Sequence, residues 1–295
     1  MNRLSPPRHF LKAISPTPLP RLTSAFATSA RSSSQPKLSN KRVLITGASR
    51  GIGKAIASRF AAEGGQCVLV GRKKEGLEDV RRELSVEGLG AGMGHQVLVG
   101  DVATARFPRP NEVNSLAKQK THGLKQAFQE IDILVNAAGI THYSLLATTK
   151  QQLLEEVVQT NLMGTLYGCK VALKGMLRGK RGDASIINIA SLLGMKGGRG
   201  NAAYAASKAG VIGLTRALAA ELGPSGIRVN VIIPGYIETD MTKAMTPEAH
   251  SQALNSIPLK RFGEAEEIAD AAVFLATNRY ANNCVLNIDG GLSAT

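Results

Sequence analysis

The chain of 295 residues has no tryptophan, only three cysteines and 4% aromatic residues. Cys67, Cys169 and Cys284 lie far apart, with neither an even count nor the spacing of a metal site, which argues against a disulfide framework and against bound zinc. No apolar run approaches the roughly 18 residues of a membrane-spanning helix. Basic runs interleaved with aromatics are lacking as well, so nucleic acid is a weak candidate partner. Acidic residues are missing from the whole N-terminal stretch, the first being Glu63. What remains is ample for a core: 43% hydrophobic residues in a length that suits one large α/β domain.

The formal charge of +14 is unevenly spread. Arg3, Arg8, Lys12, Arg21, Arg31 and Lys37 give the first forty residues six cations and no acid, beside eight Ser and six Pro. That stretch lacks the apolar core of a secretory signal. Its composition is that of a mitochondrial transit peptide, with a plastid address or a plain disordered tail as alternatives. The folded domain is expected over 41–295, with residues 1–40 removed. Without those six cations the balance is still +8, which fits an anionic cofactor or partner.

Short β-branched runs alternate with helical spacings along the rest. Strands are expected at Arg42–Thr46, Cys67–Val70, Gln96–Val99, Ile131–Val135, Ser185–Ile189, Arg228–Ile233 and Val285–Ile288. Helices are expected over 51–63, 74–84, about 150–178, around Tyr204 and about 264–276. The connection 103–123 is hard to read: Pro108 and Pro110 break an early helix, so one should start near Glu112. Such alternation predicts a single doubly wound parallel sheet of the dinucleotide-binding type, with helices on both faces.

Two motifs carry chemistry. Thr46-Gly47-Ala48-Ser49-Arg50-Gly51-Ile52-Gly53 joins the first strand to the first helix. Its glycines permit a tight turn and close backbone approach to a pyrophosphate, which the helix N-terminus attracts. About twenty residues on, an NAD site places an acid; this chain has Arg72-Lys73-Lys74 instead. Arg72 with Arg50 suits a 2′-phosphate, the bland alternative being a solvated basic helix start. The second motif is Tyr204-Ala205-Ala206-Ser207-Lys208. A Tyr and a Lys four apart share one helix face. A nearby cation lowers a phenol's ordinary pKa of ~10, making a general acid usable at neutral pH.

With Asp101-Val102, Asn136-Ala137-Ala138-Gly139, Asn161, Ser191 and Pro234-Gly235, these motifs resemble the short-chain dehydrogenase/reductase family over about residues 41–292. The resemblance implies hydride transfer from NADPH to a ketone. Tyr204 would give the proton, and Ser191 would orient the carbonyl. Lys208 would lower the Tyr204 pKa and bind the nicotinamide ribose. Asn161 would kink the long helix and hold a proton-relaying water. Asp101 and Val102 would flank the adenine, Asn136–Gly139 would support sheet and cofactor, and Pro234, Gly235, Ile237 and Thr239 would hold the nicotinamide end. Ala137 stands where the family commonly has a second Asn, and Ala281-Asn282-Asn283 where Ile-Thr-Gly is usual.

Within the family, Val229–Thr242 and Ile257–Gly263 are similar to reductases of 3-oxoacyl groups on acyl carrier protein in type II fatty acid synthesis. Lys174, Arg178, Lys180 and Arg181 are candidate docking cations for that acidic carrier, or a solvated helix end. A carbonyl or quinone reductase of free small ketones is the alternative, and a silent binding subunit a third class. Family members pair helices like that of Tyr204 into tetramers, so a homo-oligomer, or a hetero-oligomer with a related reductase, is expected. His142, Tyr143, His250, Met195, Met241 and Met245 are expected at most to line a pocket.

Overall fold

The computed structural model describes residues 36–90, 92–104, 131–179 and 183–295. The segment 1–35, the expected helix near Glu112, and Lys180 and Arg181 lie outside the described residues. Seven parallel strands form one sheet: β1 (Arg42–Thr46), β2 (Gln66–Gly71), β3 (Gln96–Val99), β4 (Ile133–Asn136), β5 (Ala184–Ile189), β6 (Ile227–Pro234) and β7 (Val285–Ile288). Their order is β3-β2-β1-β4-β5-β6-β7. The chain therefore winds outward in one direction, returns to the centre and winds out in the other. The reversal lies between β1 and β4, where such sheets open a crevice at their carboxyl ends.

The central strands are buried on both faces, which is why they read as continuous apolar runs rather than alternating ones. Successive side chains still point to opposite sides. Val43 and Ile45 of β1 join α1 (Gly51–Ala62), α2 (Lys74–Glu83) and α9 (Ala265–Thr277) on one face, around the fully buried Phe60. Leu44 joins Cys169 and Met176 of α4 (Gly164–Gly179) and Leu218 and Leu222 of α6 (Ala202–Leu222) on the other. Leu38 belongs to the first core, and its amide donates to Glu63 O at 2.8 Å, so packed chain reaches back before Lys41.

Several short helices complete the fold. α3 (Gln151–Val158) runs into a π-helical turn, Gln159–Met163, and then into α4. The long helix expected over 150–178 is thus one helix with an expanded turn at Asn161. α5 (Leu193–Lys196) follows β5. After β6 come α7 (Asp240–Lys243) and α8 (Pro247–Ser256). A third apolar cluster, including Val211, Ile233, Ile257 and Phe262, ties these to α6. Phe262 stacks on Tyr236 with centroids 5.3 Å apart and meets the His250 ring at 4.5 Å, so His250 is packed on the segment's own core.

Asn283 stands where the family pattern has glycine, and it has the left-handed φ of 61° that glycine ordinarily supplies. Asn tolerates that region better than most residues. Its neighbour Asn282 accepts from Val229 N at 2.9 Å and donates to Ala219 O at 3.1 Å. The departure is therefore compatible with the fold.

Candidate active site

The two motifs meet at the carboxyl ends of the strands. Gly47 leaves β1 with φ 69°, and a Cβ there would fall 2.7 Å from Ala138 Cα. Only glycine lets the nucleotide loop lie against the Asn136–Gly139 turn after β4. Thr46 fastens that turn by accepting from the amides of Ala137 and Ala138, each at 3.2 Å. Ala137 needs no side-chain hydrogen bond to be held. The N-terminus of α1 has neither a side-chain cap nor an acid in its first turn. Its amides are left to donate to an anion, so the loop fits a dinucleotide pyrophosphate.

Around this loop the charge is positive and solvent-facing. Arg72, Lys73 and Lys74 are exposed, and none makes an ion pair with a described residue. Arg50 Nη1 donates to Asp240 Oδ2 at 3.2 Å. Asp101 already accepts from Ala103 N at 2.9 Å, which shapes its own turn, and Val102 is buried against Gly164.

Across the crevice lie the side chains of the second motif. Asn161 is fully buried at the π-helical turn. Its Oδ1 accepts from Ile140 N at 2.9 Å, and its Nδ2 donates to Ile140 O at 3.0 Å and Ser207 Oγ at 3.1 Å. An Asn in a helix tends to compete with backbone hydrogen bonds, and here its side chain serves the adjoining turn instead. Gly139 lies between two candidate groups: a Cβ on it would sit 3.3 Å from Asn161 Oδ1 and 3.4 Å from Lys208 Nζ. Lys208 is buried and donates to Ile189 O at 2.8 Å, at the end of β5. Ser191, two residues further, accepts from Leu193 N at 3.3 Å, so it also makes a turn contact.

The electrostatics differ from the sequence expectation. Burial lowers the Lys208 pKa to about 8. Burial also raises that of Tyr204, while its hydrogen bond with Ser191 works in the opposite direction. Lys208 Nζ sits 5.8 Å from the centroid of the Tyr204 ring, and desolvation is the largest cause of both shifts.

Of the pocket candidates, Tyr143, Met195 and Met241 are exposed and His142 is buried. Ser144 N donates to Gly200 O at 3.0 Å, which joins the segment after β4 to the loop before α6. Pro234 ends β6 and Gly235 follows it, and Thr239 caps α7 through reciprocal contacts with Thr242. Three contributors escaped the sequence reading: Thr46, Ser207 and Asp240. Thr46 and Ser207 were visible only as the strand end that opens the nucleotide loop and the interior of the Tyr-x-x-x-Lys motif.

A reversing parallel sheet, a Gly-rich first turn and a buried Lys beside a Tyr define a nucleotide-dependent oxidoreductase scaffold. The family model described as enoyl-(acyl carrier protein) reductase matches residues 47–293. A 3-oxoacyl-[acyl-carrier-protein] reductase of Bos taurus is 39% identical, aligning 87% of this chain with 99% of that protein. A Homo sapiens protein of the same name is 37% identical over 86% and 98% of the two chains. A structure with bound NADP, described as a putative 2-deoxy-D-gluconate 3-dehydrogenase from Agrobacterium tumefaciens, superposes with TM-score 0.72 at 33% identity, over 88% of this chain and 99% of that one. The chain belongs to the short-chain dehydrogenase/reductase family. It is an oxidoreductase whose cofactor is NADPH/NADP+.

Proposed function

We propose that the protein reduces 3-oxoacyl groups on acyl carrier protein to 3-hydroxyacyl groups, in type II fatty acid synthesis. The observation that carries the chemistry is the convergence of Asn161, Ser191, Tyr204 and Lys208 opposite the uncapped N-terminus of α1. The near full-length match to 3-oxoacyl-[acyl-carrier-protein] reductases supports the substrate. Bound NADPH supplies the hydride.

Tyr204 donates its proton to the carbonyl oxygen as negative charge develops there. Ser191 donates a hydrogen bond to the same oxygen and orients the ketone. Lys208, with a pKa lowered to about 8, is poised to return a proton to Tyr204 near the working pH. Asn161 positions Lys208 by holding the Gly139–Ile140 turn against it. Ser49, Gly51, Ile52 and Gly53 hold the pyrophosphate, and Arg50 and Arg72 the 2′-phosphate. Asp101 and Val102 flank the adenine, and Asn136, Ala137, Ala138, Gly139, Pro234, Gly235, Ile237 and Thr239 complete the cofactor site.

The full chain should turn over acetoacetyl groups on acyl carrier protein with a higher kcat/KM than acetoacetyl groups on a small thiol. Preference for free ketones or quinones would select the carbonyl reductase reading instead. Reduction of the 2-enoyl thioester in place of the 3-oxo one would select the activity for which the family model is described. Exposed Lys174 and Arg178 are docking candidates for the carrier, although Arg178 Nε already donates to Lys174 O at 2.7 Å. Residues 1–40 direct the protein to the mitochondrial matrix in this proposal. A reporter carrying them should enter mitochondria, and a cytosolic reporter would refute it.

Assembly into a tetramer completes the proposal. Ala206, Ala209, Gly213, Ala217 and Ala220 form an exposed small-residue stripe along α6, where a second helix could approach closely. Light scattering that found a stable, active monomer would contradict it.

A further inference from the structure

The Arg50–Asp240 contact joins the nucleotide loop to the segment after β6, across 190 residues of sequence. The Thr239 side chain lies against Gly51 there. A Cβ on Gly51 would lie 3.4 Å from Thr239 Cγ2. Asp240 opens α7, whose start is fixed by the Thr239–Thr242 capping box, with Thr242 Oγ1 accepting from Thr239 N at 2.9 Å. Among the described residues Asp240 engages only Nη1 of Arg50. A guanidinium has five donors in a rigid fork, and a phosphate takes two of them side by side. One corner can hold the carboxylate while the rest of the fork grips an anion.

We propose that Asp240 is a positioning residue for cofactor selectivity. It holds Arg50 by Nη1 so that the remaining donors meet the 2′-phosphate of NADPH. Carboxylate, guanidinium and phosphate then form one chain, and only a phosphate-bearing cofactor fastens α7 to the nucleotide loop. The proposal rests on the reading of Arg50 as a 2′-phosphate ligand. Both partners are largely exposed, with side chains 74% and 64% accessible, so the effect is small and salt-sensitive.

The test uses the full chain, with Kd for NADPH and NADH measured by calorimetry at low ionic strength. Asp240→Asn should raise the NADPH Kd about 2–5-fold, the range an exposed ion pair supplies, and leave the NADH Kd unchanged. Asp240→Glu should restore part of the loss. On an Arg50→Gln background Asp240→Asn should have no effect. NADPH, and not NADH, should protect the bond after Lys243 from trypsin, and Asp240→Asn should remove that protection. Equal weakening of both cofactors would reduce Asp240 to a structural residue and overturn the proposal. Tighter NADPH binding by Asp240→Asn would mean that carboxylate and phosphate compete for Arg50, which also overturns it. A wild-type protein that binds both cofactors equally would sink the Arg50 phosphate reading first, and this proposal with it.

Discussion

On the β1–β3 side of the sheet the candidate functional groups are backbone amides and exposed cations. On the β4–β6 side they are buried polar side chains. Gly47, the bare N-terminus of α1, Arg50 and Arg72 make up the first set. Asn161, Ser207 and Lys208 belong to the second, and a hydrogen-bonded chain runs beneath them. Asn136 Nδ2 donates to Asn188 Oδ1, and Asn188 Nδ2 to Thr215 Oγ1, each at 2.9 Å. A buried polar network is costly when incomplete and rigid when complete. An exposed cation cluster costs little to change. One side should therefore govern turnover and folding, and the other cofactor choice.

The largest effect that could break this division is at Tyr204. Tyr204→Phe removes a hydroxyl and keeps the ring. It should lower kcat by ~10²–10⁴-fold, as expected for a lost general acid, with folding intact. Steady-state kinetics beside a thermal melt would check this, and near-normal turnover in a folded variant would remove Tyr204 from the chemistry. Asn161→Ala comes next. It removes the partner of both Ile140 N and Ile140 O, and a polar group left unsatisfied away from water costs about 1–3 kcal/mol, so stability and kcat should fall together. Loss of kcat with unchanged stability would show that the network does not support the fold.

Gly47→Ala sharpens the comparison from the other side. A left-handed φ costs an L-residue about 1–2 kcal/mol, and the Cβ must also displace Ala138. Cofactor affinity should drop in calorimetry more than kcat at saturating NADPH. Arg72→Asp deletes a cation and adds a repulsive anion, so the ratio of NADPH to NADH kcat/KM should fall while the melt is unchanged. A ratio that stays constant would leave Arg72 as a solvated helix start.

A separate prediction concerns pH. Buried Lys208 releases its proton near pH 8, whereas the unfolded chain holds it to about 10.5. Between these values the unfolded state binds more protons, so this group makes stability rise with pH. The Tyr204 pKa is raised, so that group acts in the opposite sense once pH exceeds its ordinary 10. The Lys208 contribution is cleanest between pH 8 and 10, in denaturant titrations of wild type against Lys208→Met. An identical pH slope in the two proteins would contradict it.

Legibility in the sequence follows the same division. Strands buried on both faces announce themselves as apolar runs, and glycines at a strand-to-helix turn have few other uses. Sheet, order of elements and nucleotide loop were therefore readable. The buried side was readable in its members but not in its electrostatics. Tyr204 and Lys208 share a helix face, yet sequence spacing says nothing about the desolvation that raises one pKa and lowers the other. Long-range pairs such as Arg50–Asp240 and Asn161–Ser207 were invisible because no local pattern encodes them.

The double variant Tyr204→Phe/Arg72→Asp tests the division most directly, with kcat and both cofactor Kd values measured beside the two single variants. Distant, independent sites act additively in free energy. The kcat of the double variant should equal that of Tyr204→Phe, and its NADPH to NADH Kd ratio that of Arg72→Asp. A double variant whose kcat falls well below that of Tyr204→Phe, or whose cofactor ratio departs from that of Arg72→Asp, would show that the two sides work as one site and contradict the account.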